Sequence, residues 1–157
     1  MISLPCPFTQ AEGFLALDMA DDAWQALEEL PPEQKTNEPI LQMRVEIAIK
    51  LKRWQLGATV ARGALRLYPE CAAFYVDGAE CVRHSESLEA ARELLALALV
   101  NCDQLPAIWH FRMACYSSRL GDLDVVSKHF RKAKAIDADL VSHAADCEDL
   151  RPWFDSF

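Results

Sequence analysis

The sequence predicts an all-α protein, an α-solenoid of about four antiparallel helical hairpins closed by a C-terminal capping helix. Three observations carry the prediction. Apolar residues recur three and four apart in one segment after another, the spacing of a helix face. Only five of 157 residues are glycine, against alanine and leucine throughout, a composition that favours helix. The same pattern of small and bulky residues also returns every 34 or 35 residues, as in a stacked repeat. A chain of this length builds one domain with a core and not two. A single domain over 1–157 is therefore expected, with hairpins at about 8–30, 38–68, 72–101 and 106–137 and a cap at 139–154.

Residues Met1 to Cys6 show no periodicity and form a loose lead-in. The first helix follows from about Phe8 to Met19. Asp21 and Asp22 then open a second, since carboxylates favour the positive end of the helix dipole, and Pro31-Pro32 stops it. PPEQKTNEP has three prolines and nothing apolar to bury, so it connects two hairpins. Ile40, Leu41, Val45, Ala48, Ile49 and Leu51 mark a third helix. Trp54, Ala58, Ala61, Ala64, Leu65 and Leu67 mark a fourth, closed by Pro69. The next pair spans Ala72–His84 and Leu88–Val100, broken at Ser85–Ser87. The last hairpin, Ala107 to Ala138, turns at Gly121, and a further helix is expected over about Asp139–Cys147.

Units started at Leu4, Glu38, Ala72 and Ala107 keep register at the positions where two helices would cross closely. The eighth position holds Ala11, Val45, Ala79 and Ala114, and the twentieth holds Ala23, Gly57, Ala91 and Val126. Leu27, Ala61, Leu95 and Phe130 fall at the twenty-fourth, three before Leu30, Ala64, Ala98 and Ala133 on the same helix face. This pattern resembles the tetratricopeptide repeat (TPR) family over about Leu4 to Ala138. The fullest unit carries Trp109, Ala114, Tyr116, Gly121-Asp122, Phe130, Ala133 and Ile136-Asp137. The family's terminal proline is kept only as Pro69 and its turn glycine only as Gly121. The tail Glu148–Trp153 is similar to the ends of small stand-alone bacterial members.

The resemblance implies a right-handed superhelix whose concave groove is lined by the first helix of each hairpin. By register the groove residues are Gln42, Met43, Glu46, Ile49 and Lys50; Val76, Asp77, Glu80, Arg83 and His84; and Phe111, Arg112, Cys115, Ser118 and Arg119. Relatives that grip a terminal carboxylate use a basic and asparagine set there. Only Arg112 falls near such a position, so that activity is not carried over.

Charge and motif content narrow the function. With 16 basic and 24 acidic residues the net charge is −8, which repels nucleic acid and anionic membranes. The longest strongly apolar run, Leu94–Val100, is far too short to span a bilayer. The six cysteines are scattered with no Cys-x-x-Cys pair, so they are taken as reduced thiols filling core space, with no metal site. His84, His110, His129 and His143 fall in no nucleophile, zinc or phosphate motif. Gly57, Gly63 and Gly78 lie inside helices, where close helix approach explains them.

The unit Glu38–Cys71 has six basic against three acidic residues. Arg44 or Lys50 would orient an acidic peptide if groove-facing, or would be solvated surface if not. Trp153, Phe154 and Phe157 either fold back over the last hairpin, which is the expectation, or present a sticky tail.

The expected function is a non-catalytic, cofactor-free protein-interaction module, bacterial and cytoplasmic, monomeric or weakly dimeric. A protein or peptide partner would lie in the groove. The alternatives are a chaperone for a secretion-system client and a groove used as a small-ligand pocket or minor enzymatic site.

Overall fold

The computed structural model describes residues 6–157. The expected lead-in lies outside them except for Cys6, which already begins a helix. Four hairpins follow in chain order: α1 (Cys6–Ala16) with α2 (Ala20–Glu28), and α3 (Glu38–Lys50) with α4 (Trp54–Leu67). Then come α5 (Ala72–Ser85) with α6 (Leu88–Ala96) and its short continuation α7 (Ala98–Asn101), and finally α8 (Ala107–Arg119) with α9 (Leu123–Ile136). No strand occurs among the described residues. Asp21 and Asp22 occupy the first turn of α2, and Pro39 the first turn of α3, where its missing N–H costs nothing. Ser87 caps α6 by accepting the Ala90 amide at 3.0 Å.

The repeat is most visible in the turns. Position fifteen of the first, second and fourth units, Asp18, Lys52 and Gly121, has φ of 58°, 55° and 80°. Each turn closes with the same two bonds: Met19, Arg53 and Asp122 amides reach Phe14, Ala48 and Ser117 carbonyls, and the fifteenth-residue amides reach Leu15, Ile49 and Ser118. That is the Schellman closure, which wants a left-handed residue just past the helix. The sequence shows a turn glycine once; the structure uses the geometry three times, with side chains accepting the strain in two. The third unit turns differently, with Glu86 at φ −129° and Ser87 extended.

The register positions are the core. All residues of the eighth and twentieth sets are buried, as are Leu27, Ala61 and Leu95 and the whole twenty-seventh set. One apolar cluster joins Phe8, Ala11, Ala23 and Leu27 to Ile40, Met43 and Ile47 of α3. A second runs from Val45 through α4, α5, α6, α8 and α9 to Leu150 and Trp153. Two faces of α3 thus join the first hairpin to the rest. Added Cβ atoms at Gly57 and Gly78 would fall 2.4 Å from Cys81 Sγ and 2.9 Å from Ala61 Cβ. Those two glycines do mark close helix approach. Gly63 does not, for it is exposed with nothing within 4 Å.

Two helices depart from expectation. Leu88–Val100 is interrupted at Leu97, whose amide bonds back three residues to Leu94. The Leu95 carbonyl, which an unbroken helix would offer to Leu99, receives the indole N–H of Trp109 at 2.9 Å. Beyond α9 the helix expected over Asp139–Cys147 is instead a run of turns ending in a 3₁₀ turn, Ala144–Asp146. The Asp137 side chain accepts the Asp139 and Leu140 amides at 3.1 and 3.2 Å, an alternative to helical bonding. A second 3₁₀ turn, Glu148–Leu150, leads into α10 (Arg151–Phe154), the capping helix. Trp153 folds back, its ring 5.1 Å from that of Phe130 and its indole N–H on Ser127 Oγ.

Candidate functional site

The first helices α3, α5 and α8 pack side by side, while α4 and α6 lie behind them. Three adjacent helices present one wall because residues four apart share a face. The register residues divide on this wall into three groups.

Glu80 is the centre of the first. It takes the Tyr116 hydroxyl at 3.3 Å, pairs with Arg112 at 3.7 Å and with His84 at 3.1 Å. His84 stacks on Trp54, with ring centroids 4.2 Å apart. Asp77 stands nearby, and burial pushes its carboxyl pKa up; Arg112 opposes the shift, while Glu46 and Glu80 add to it. Burial likewise raises the Tyr116 phenol. Arg112 Nε is buried with no hydrogen-bond partner. Glu46 and Lys50 are exposed on α3, and Gln42 is held by Glu38 at 3.0 Å and by Cys71 Sγ at 3.5 Å. Phe111 is half-buried against the main core.

A second group is bound to the chain's own tail. Arg83 donates from both terminal nitrogens to Asp149, at 2.6 and 2.7 Å, and Arg119 approaches the same carboxylate at 3.8 Å. The Asp149 bond raises the Arg83 pKa further above its ordinary range. Cys115 is fully buried, with its sulfur 4.0 Å from Cys147.

The third group is core. Met43 packs against the first hairpin. Arg44, weighed as a groove cation, is 9% exposed. It donates to Glu28 at 2.8 Å and lies 4.8 Å over the Trp24 ring, joining the second hairpin to the first. This bond holds the Glu28 carboxyl below its usual range. The basic excess of the second unit is largely spent on such pairs, including Arg53 with Asp21 and Arg62 with Glu86.

No family model matches the sequence, and no curated protein matches it. By structure, the chain is similar to the crystal structure of a thermophilic TPR protein from Thermus thermophilus. The TM-score is 0.73 over 95% of this chain and 85% of that one, at 16% identity. The chain has the tetratricopeptide-repeat fold. Within this TPR arrangement the tail covers the α8 side of the last hairpin, since Glu148–Leu150 and α10 both lie on α8. Sequence reasoning missed that Arg83, Arg119 and Asp149 belong together, because 66 residues separate Arg83 from Asp149 and no local pattern links them.

Spacing also missed a cluster of ligand-type atoms from Cys115, Cys147 and Asp149, within 4.8 Å of one another. His110 and His129 form a packed pair, Nδ1 to Nδ1 3.3 Å, edge-on to buried Trp109. No helix among the described residues is long and apolar enough to cross a membrane.

Proposed function

We propose that this TPR protein is a non-catalytic interaction module that holds a peptide or protein segment across α3, α5 and α8. The observation that carries the reading is a set of half-buried charged groups on this wall. Asp77 is half-buried, with its carboxyl pKa raised by burial, and Arg112 keeps a third of its side chain exposed beside Glu80. Such groups cost free energy in the unbound protein, and a ligand that satisfies them recovers it. The Trp54–His84 stack and half-buried Phe111 supply flat apolar area beside them, the kind of surface on which interface energy concentrates. Gln42, Glu46, Lys50, Asp77, Glu80, His84, Phe111 and Arg112 form the contact set. Arg83, Arg119 and Cys115 shape its far edge through the tail, and Met43 supports α3 from behind. Six unpaired cysteines fit a reducing compartment such as the cytoplasm.

The test is affinity capture from native cells with wild-type protein and with the Phe111→Ala/Arg112→Ala double variant as baits, both confirmed as folded by circular dichroism. Loss of a specific partner from the variant supports the groove. Retention of every partner at wild-type levels overturns it.

A further inference from the structure

The C-terminal segment is held on α8 by polar contacts that centre on Asp149, and beside that carboxylate two thiols meet. Cys147 sits in extended backbone between two 3₁₀ turns and is half-buried, whereas Cys115 lies beneath it on α8, 1% exposed. Their sulfurs are 4.0 Å apart across 32 residues of sequence. A disulfide requires about 2.05 Å, so roughly 2 Å of movement must come from one side. The Cys147 side can supply it, since its backbone is tied by single-turn hydrogen bonds rather than by a regular helix, with the anchor at Asp149 two residues further on. We propose that Cys115 and Cys147 are a reversible dithiol–disulfide pair that staples the C-terminal segment to α8.

The chemistry has a built-in order. Solvent reaches Cys147 but not Cys115, and burial also raises the pKa of the Cys115 thiol. The Cys147 thiolate attacks one sulfur of a small disulfide such as glutathione disulfide and expels one glutathione thiolate. The Cys115 sulfur then attacks Cys147 Sγ, expelling the second glutathione, which leaves with the Cys115 proton. Two protein thiols are oxidised and one glutathione disulfide is reduced to two thiols. Asp149, the third ligand-type group beside the thiols, has both oxygens on Arg83 and so is not free to hold a metal dication. The inference is independent of what the groove binds.

To test it, reduced full-length protein is equilibrated in glutathione buffers of increasing oxidised fraction, quenched with acid, alkylated and mapped by peptide mass spectrometry. The first cross-link to form joins the peptides carrying Cys115 and Cys147. Closing a loop of this size raises the melting temperature by about 5–10 °C, and dithiothreitol reverses both effects. Cys147→Ser loses both, while Cys71→Ser/Cys102→Ser keeps both. Three results overturn the proposal: Cys147 accumulating as its glutathione adduct without the cross-link, another pair forming first, or a cross-link that leaves melting unchanged. Because the wild-type map alone decides the pairing, a misfolded variant would not rescue the idea.

Discussion

Gly57 and Gly63 lie in the same helix, α4, and should respond to alanine with opposite signs. At Gly63 the new methyl meets nothing within 4 Å. Only helix propensity acts there, so Gly63→Ala should stabilise the protein by about 0.5–1 kcal/mol. At Gly57 the same propensity gain applies, but the methyl carbon would fall 2.4 Å from Cys81 Sγ and 3.2 Å from Ala48 Cβ. Unstrained carbon contacts lie at about 3.5–4.0 Å, so the overlap with sulfur exceeds about 1 Å. Cys81 is fully buried between α4 and α5, which leaves its sulfur little room to turn aside. Overpacking of this kind costs up to about 3 kcal/mol. After the propensity gain of about 1, Gly57→Ala should destabilise by about 2 kcal/mol. Urea denaturation of both variants measures the difference directly. Repeating Gly57→Ala in a Cys81→Ala background, where the colliding sulfur is gone, should recover about 1 kcal/mol or more as a coupling energy. Equal or greater stability of Gly57→Ala relative to Gly63→Ala would refute the close approach of α4 to α5.

Three further outcomes are expected. Lys52→Gly should stabilise by about 0.5–1 kcal/mol in the same assay, since Lys52 is exposed at φ 55° and glycine takes that conformation without strain; a loss would contradict the turn geometry. Asp149→Ala should cost about 2 kcal/mol of tail docking, less than a fully buried pair because Arg83 keeps some solvent. It should appear as faster amide hydrogen exchange over residues 147–157, and unchanged exchange there would count against the tail contact. Burial lowers the pKa of His110, and burial with its charged neighbours His110, Lys128 and Lys132 lowers His129 to about 4. Above the unfolded value of about 6.5 both states are neutral and nothing is lost. As pH falls from there towards 4 the unfolded chain protonates the position of His129 while the folded protein keeps His129 neutral, so stability drops, by about 1–2 kcal/mol after discounting for the partial exposure of His129. His129→Phe should flatten that part of the pH profile, and an unchanged profile would exclude the pair as its source.

The repeat itself was legible in the sequence because close packing leaves few choices at a helix crossing. Ala11, Val45, Ala79 and Ala114 can be counted off at 34 and 35 residues, and all four are fully buried. What could not be read were features set by residues distant in sequence. Register gave Arg44 a chance of facing the groove, yet Glu28 and the Trp24 ring from the preceding hairpin draw it into the packing. Helical spacing ran through Leu97, but a tryptophan indole fourteen residues beyond Leu95 takes a carbonyl and breaks the helix. Gly57 and Gly63 looked alike as helical glycines, and only the neighbouring helix separates them. Local sequence thus determined the repeat and the approximate span of each hairpin helix, because those choices rest on periodicity, prolines and small residues within one hairpin, but not the break at Leu97 or the turns that replace a helix after Asp139. The tertiary structure alone decided which wall residues stay open and which grip Asp149, since charge pairing and desolvation depend on distances between hairpins that no single repeat encodes.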